Sequence, residues 1–164
     1  MQPVIRPLVE SDATALLALH LENRAFMAPF EPLRPDAWYT LEQQRQIARN
    51  EDGGRFGIVD DDDLVGTISL SNVSHGFFRS ANVGYWVDER RNGRGLASRA
   101  LAALVDHAFG ELGLHRLEAG TLLDNFGSQR VLEKNAFERI GVARSYLQIA
   151  GSWRDHVLFQ RVAD

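Results

Sequence analysis

With 164 residues and no cysteine, the chain has room for one domain with a substantial core, and it excludes disulfides, thiolate metal sites and a cysteine nucleophile. Its 45% hydrophobic and 24% charged residues are those of a folding globular protein, and a net charge of -4 with no long basic tract argues against a general nucleic-acid binder. No apolar core follows a basic flank in the opening MQPVIRPLVESD, and no apolar run reaches the roughly 18 residues of a membrane span, so a cytoplasmic protein is predicted.

VIRPL (4–8) reads as a short strand. SDATALLALHLENRAFM (11–27) follows as a helix, with Leu16, Leu17 and Leu19 at helical spacing behind a Ser11/Asp12 cap. The prolines of MAPFEPLRPDAW (27–38) forbid regular structure, and TLEQQRQIARN (40–50) resumes as a helix. FGIVDDDDLVGTISLSNV (56–73) carries two β-branched apolar runs around four aspartates, the pattern of a hairpin. Calcium loops alternate their ligands around a glycine bend, so Asp60 to Asp63 read as a solvated turn. ANVGYWVD (81–88) is another strand. From Leu96 an apolar face through Ala100, Leu101, Leu104 and Val105 predicts a helix that Gly113 ends. LHRLEAGTL (114–122) reads as a strand and NFGSQRVLEKNAF (125–137) as a short helix. ERIGVARSYLQIAGSWRDHVLFQRV (138–162) reads as two long strands around a Gly-Ser turn.

The chemistry concentrates where the 81–88 strand meets the 96 helix, in ERRNGRGLASRAL. A helix start exposes N–H groups without intrahelical partners, and the helix dipole makes that end partly positive. Gly93 and Gly95 let a bulky anion approach the backbone, and Arg90, Arg91 and Arg94 add positive charge, so a phosphate or pyrophosphate is the predicted ligand. A P-loop fails because the only lysine is Lys134. A dinucleotide fingerprint is weakened by Ser98 at its third glycine, although Glu118 stands near the place of its ribose-binding acid. The third pattern, [Q/R]-x-x-G-x-[G/A], is met by Arg90, Gly93 and Gly95 and resembles the pyrophosphate motif of the GNAT acyltransferases, which use acetyl-CoA.

The resemblance extends along the chain through NRAFMAPFEPLRPDAW, SNVSHGFF, VGYWVD, NGRGLASRAL, NFGSQRVLEKNAF and YLQIAGSWRDHVLFQ, which are similar to the RimJ/RimL branch and most to its ribosomal-protein-alanine N-acetyltransferase side. It implies a single α/β domain over 1–164, with a mixed, mostly antiparallel central sheet flanked by helices and splayed where acetyl-CoA enters. It implies that the backbone of Tyr85, Trp86 and Val87 pairs with the pantetheine arm and offers an N–H to the thioester oxygen. Arg90, Arg91, Asn92, Gly93, Arg94, Gly95 and Leu96 would form the pyrophosphate cradle, Asn125 would contact the cofactor, and Ser128 would hydrogen-bond the departing thiolate.

Two departures from the family pattern bear on mechanism. The family's tyrosine acid, seven residues after the asparagine, falls here on Leu132, and Ser145 stands where serine-acetylating relatives carry a carboxylate. An α-amine, with a pKa of about 7.7 to 8.0, is already roughly a tenth neutral near pH 7, whereas lysine is almost wholly charged. The missing base therefore points to an N-terminal amine, with Glu22 or Glu31 acting through water as the candidate base. The five histidines lack metal-binding spacing, and no metal is predicted. The expected reaction is direct acetyl transfer to an amine, first a protein N-terminus such as that of a ribosomal protein, second a polyamine, amino acid or aminoglycoside. A silent acyl-CoA sensor and a nucleotide-binding module are the alternatives of other classes. Nucleic acid and membrane are not expected partners, and self-association into a homodimer stays open.

Overall fold

The structure, a computed structural model, describes residues 4–164. Residues 1–3, part of the single domain expected from the sequence, lie outside the described residues. In chain order the regular elements are β1 (Ile5–Pro7), α1 (Ala13–Glu22), α2 (Arg24–Met27), α3 (Leu41–Ala48), β2 (Arg55–Asp60), β3 (Asp63–Ser74), β4 (Ser80–Val87), α4 (Leu96–Asp106), β5 (Arg116–Leu122), α5 (Phe126–Lys134), β6 (Glu138–Ile149) and β7 (Ser152–Val162). The strands form one sheet in the order β1-β2-β3-β4-β5-β7-β6, antiparallel throughout except where β4 meets β5.

Helices cover both faces. On one, α4 buries Leu96, Ala100, Leu101, Leu104 and Val105, the stripe read from the sequence, against Phe56, Ile68, Leu117 and Phe159 of the sheet. On the other, Leu16 of α1 and Ala48 of α3 close over Leu8. Three local readings are corrected. The 11–27 helix breaks at Asn23, which is only 2% exposed and turns its side-chain N–H back to the Leu19 carbonyl (3.0 Å). The α4 helix ends at Asp106 and passes through a π-helical turn, His107–Glu111, before Gly113. Asp12 is the N-cap residue of α1, but its side chain makes no capping bond to that helix. Its carboxylate accepts from the Val9 N–H (2.9 Å) and from both Arg6 terminal nitrogens (2.8 Å each).

That last cluster carries a pH signature. The Arg6 guanidinium, helped by the Val9 N–H, holds the Asp12 carboxyl below the usual range against the opposing effect of burial. A folded-state pKa below the unfolded one contributes stability that is present above the unfolded pKa and lost as pH falls through the folded one. Asp12→Asn is therefore expected to cost about 1–3 kcal/mol at neutral pH, since it removes hydrogen bonds to a charged group. The gap to the parent should narrow as the pH drops below that of ordinary carboxylates, measured by urea unfolding across a pH series.

The feature that positions the site is the separation of β4 from β5. They pair only over Ser80–Asn82 with Arg116–Glu118, while β4 stays zipped to β3 as far as Val87 and β5 to β7 as far as Leu122. Beyond Asn82 the two half-sheets part, leaving one edge of β4 without a strand partner.

Candidate active site

In β4 the Asp88 N–H donates to the Val65 carbonyl (2.7 Å), so the antiparallel ladder turns Trp86 toward β3 and leaves the N–H and C=O of Tyr85 and Val87 facing the gap. The side chains alternate in the other sense. Trp86 lies against His20 of α1 (centroids 5.1 Å), and Tyr85 reaches under α5. Burial, helped by Arg34, pushes the His20 imidazole down to about 4, so at neutral pH it is an uncharged aromatic neighbour.

The gap widens into a cleft of about 560 Å³. The end of β4 forms its floor, residues 91–93 and 95–98 one wall, α5 the other, and Phe26, Met27 and Phe30 its apolar roof. The chain reaches the first wall through a left-handed turn, with Gly93 at φ +79° and Gly95 at φ +74°. Among the described residues, apart from the chain neighbours, no atom lies within 4 Å of where a Cβ would stand at either, so the glycines serve the turn and leave open space before it. The first main-chain bond of α4 runs from the Arg99 N–H to the Gly95 carbonyl (3.0 Å), and among the described residues nothing accepts from the N–H groups of 93–98.

The charge of the cleft opposes that of the chain. Arg91, Arg130 and Lys134 line it, and among the described residues it has no carboxylate lining, although the chain carries a net charge of -4. Arg91 is held at the mouth by Asp60 (2.8 Å) and Asp63 (3.1 Å), and Arg94 leans on Asp60 at 3.5 Å. The aspartates read as a solvated turn thus divide their roles. Asp61 and Asp62 form the turn with positive φ, and their two neighbours orient arginines. Arg130 and Lys134, one helical turn apart on α5, went unread because their face is defined only by where α5 docks.

The structure brings most of the residues singled out in the sequence to this one place. Tyr85, Trp86, Val87, Arg91, Asn92, Gly93, Gly95, Leu96, Asn125 and Ser128 all line the cleft. Arg94, leaning on Asp60, does not, and neither do Glu22 and Arg90. The last two form an ion pair in a separate hollow beside α1, where Arg90 also binds Asp88 (2.8 Å), because Asp88 N-caps the turn ahead of the cradle and draws Arg90 away from it. Asn125 accepts from the Ser128 N–H (3.3 Å) and so caps α5. Leu132, at the family's tyrosine position, is fully buried in the main core.

A phenol nevertheless meets the serine. The Tyr85 hydroxyl lies 2.9 Å from Ser128 Oγ and 3.2 Å from the Ser128 carbonyl oxygen. Burial pushes this phenol up to about 12, against a smaller pull from the serine, so it keeps its proton. Sequence reasoning used only the Tyr85 backbone; its side-chain partner is 43 residues away and no periodicity marks it. Elsewhere Trp153 is largely exposed on β7, outside the cleft, and Asp155 accepts from the Ser145 N–H (2.8 Å) while His156 faces the Arg154 carbonyl (3.0 Å), so the two make no triad with Ser128. An unpaired strand edge leading to bare N–H groups and three cations suits an extended ligand ending in phosphates.

Comparison with known proteins agrees with that geometry. Residues 4–138 match the family described as acetyltransferase (GNAT) domain. The chain is 42% identical to the probable N-acetyltransferase YjcK of Bacillus subtilis, across 93% of this chain and 89% of the relative. It is 33% identical to the ribosomal protein uS5-alanine N-acetyltransferase of Escherichia coli, across 94% of this chain and 84% of that one. Mycobacterium smegmatis RimJ in complex with CoA-disulfide superposes with a TM-score of 0.91 at 34% identity, covering 97% of this chain and 81% of that chain. The splayed seven-stranded sheet, the cleft at its parting and these likenesses place the chain in the GNAT family, as an N-acetyltransferase that uses acetyl-CoA as its cosubstrate.

Proposed function

We propose that this enzyme acetylates the N-terminal α-amine of a protein, with a ribosomal protein as the substrate class, in the cytoplasm. The observation that carries the reading is the cleft itself: an open β4 edge, a ring of free N–H groups at 93–98, three cations with no carboxylate in the lining among the described residues, and a serine across the gap. Relatives whose printed names include ribosomal-protein-alanine acetylation support the substrate class.

Bound acetyl-CoA supplies the acetyl group as a thioester. The residues divide the rest of the work. The N–H groups of 93–98, with Arg91, Arg130 and Lys134, receive the phosphates. Val87 or Tyr85 turns a main-chain N–H toward the thioester carbonyl, where it stabilises the oxyanion that forms on attack, usually a leading contribution to acyl transfer. Ser128 faces the leaving sulfur from α5. Without cysteine there is no thioester on the enzyme, and acetyl passes directly to the amine. A strong base is not needed for a nucleophile that is already roughly a tenth neutral near pH 7. Neither Glu22, paired with Arg90, nor Glu31, paired with Arg34 at 3.6 Å, is among the residues that line the cleft.

Two measurements test this. Acetyl-CoA should raise the melting temperature while NAD and ATP do not, because a ligand that binds only the folded state stabilises by mass action. Thiol release should then be fastest with peptides beginning in Ala or Ser and slow with polyamines or free amino acids. Faster turnover of a polyamine or aminoglycoside than of every peptide would replace the proposed substrate class.

A further inference from the structure

We infer that Tyr85 is a positioning residue for Ser128: its hydroxyl donates to Ser128 Oγ and so leaves the single serine O–H free to point into the cleft, at the sulfur that departs. The inference rests on the proposed place of Ser128 beside the thioester.

The argument is a count of protons and acceptors. Between the phenol and the serine hydroxyl there are two protons, and the partners at hand are each other, the Ser128 carbonyl at 3.2 Å and whatever occupies the cleft. If the phenol donated to the carbonyl, the serine would donate to the phenol and present only lone pairs to the cleft, which would repel a forming thiolate. If the phenol donates to Oγ, along the shorter 2.9 Å path, the serine O–H is released toward the sulfur. Without the phenol, a serine in the first turn of a helix falls back on a preceding carbonyl of its own chain. The cleft wall thus holds a donor whose direction is set from beneath by a second donor.

Tyr85 does not supply the proton that ends on sulfur. A phenol pushed up to about 12 would give its proton to a thiolate with a disadvantage of roughly three to four powers of ten, taking an ordinary thiol pKa near 8.5. The step balances without it. The amine nitrogen bonds to the acetyl carbon, the carbon–sulfur bond breaks with its electron pair going to sulfur, and the proton lost from nitrogen ends on sulfur. Tyr85 and Ser128 finish with the protons they began with.

The test is a double-mutant cycle on the full chain, with Tyr85→Phe, Ser128→Ala and both together, read as kcat, KM for acetyl-CoA and Kd for CoA. Tyr85→Phe should lower kcat about tenfold and Ser128→Ala roughly 10- to 100-fold, each with KM and Kd within about twofold of the parent. In the Ser128→Ala background, Tyr85→Phe should have no further effect. Equal slowing by Tyr85→Phe in both backgrounds would make Tyr85 a merely structural residue and overturn the inference, as would no slowing in the parent. An unchanged kcat in Ser128→Ala would instead remove Ser128 from the proposed reaction, a separate failure. A crystal structure of the parent with CoA gives an answer independent of variant folding. Ser128 Oγ should lie within about 3.5 Å of the sulfur while still accepting from Tyr85, and a serine turned away from either refutes the assignment.

Discussion

Gly95→Val is expected to abolish binding of acetyl-CoA at concentrations that saturate the parent enzyme, while the unliganded protein stays folded. Gly95 stands at φ +74° immediately before α4, and among the described residues, apart from its chain neighbours, no atom lies within 4 Å of where its Cβ would be. The cost to the empty protein is therefore conformational, about 1–3 kcal/mol for a non-glycine residue held in the left-handed region. The cost to the complex is steric, because the valine methyls would occupy the space through which an anion reaches the N–H groups of 93–98. An affinity loss of at least about 100-fold, against a modest drop in melting temperature, separates the two effects. Calorimetric titration with CoA checks it, and an unchanged Kd would move the phosphate cradle away from this turn.

Leu104→Ala should have the largest effect on stability. Leu104 is fully buried on the face of α4 that packs on the sheet. Truncation there costs about 2–5 kcal/mol, combining lost transfer energy with the cavity left behind. For a domain of this size that is a fall in melting temperature of roughly 4–20 °C. The same helix carries the proposed cradle at its first turn, so the measurement distinguishes two kinds of damage. If the loss is confined to the core, a hundredfold excess of acetyl-CoA over Kd adds about 2.7 kcal/mol to parent and variant alike, and the difference between them is unchanged. A difference that widens in the presence of ligand would mean that the cavity reaches the N–H groups.

What could be read from the residues follows physical range. The order of strands and helices is written locally, in β-branched runs, in the α4 stripe and in glycines and prolines at the joints. The glycine-arginine joint is legible for the same reason, since helix start, turn and cations lie within seven residues. Features that depend on distant partners are not. Asn23 falls inside the segment read as one helix over 11–27, yet its carboxamide accepts from the Glu89 N–H at 2.9 Å, a neighbour 66 positions later. The pairing of Asp60 and Asp63 with Arg91 arises because the β2–β3 hairpin ends beside the joint. Arg90 satisfies the sequence pattern, but Asp88 and Glu22 claim its guanidinium. A motif reports which residues are available at a turn; the competing partners that the fold supplies decide which of them face the ligand.

Ordinary sheets carry their unsatisfied ladders on the outside, where any stray strand can stack and seed aggregation. Here β4 leaves its ladder open in the middle of the sheet, flanked by β5 and overhung by helices on both sides. The parting of β4 from β5 thereby keeps hydrogen-bonding capacity facing a cleft inside the sheet, away from the rim at which sheets stack on neighbouring molecules.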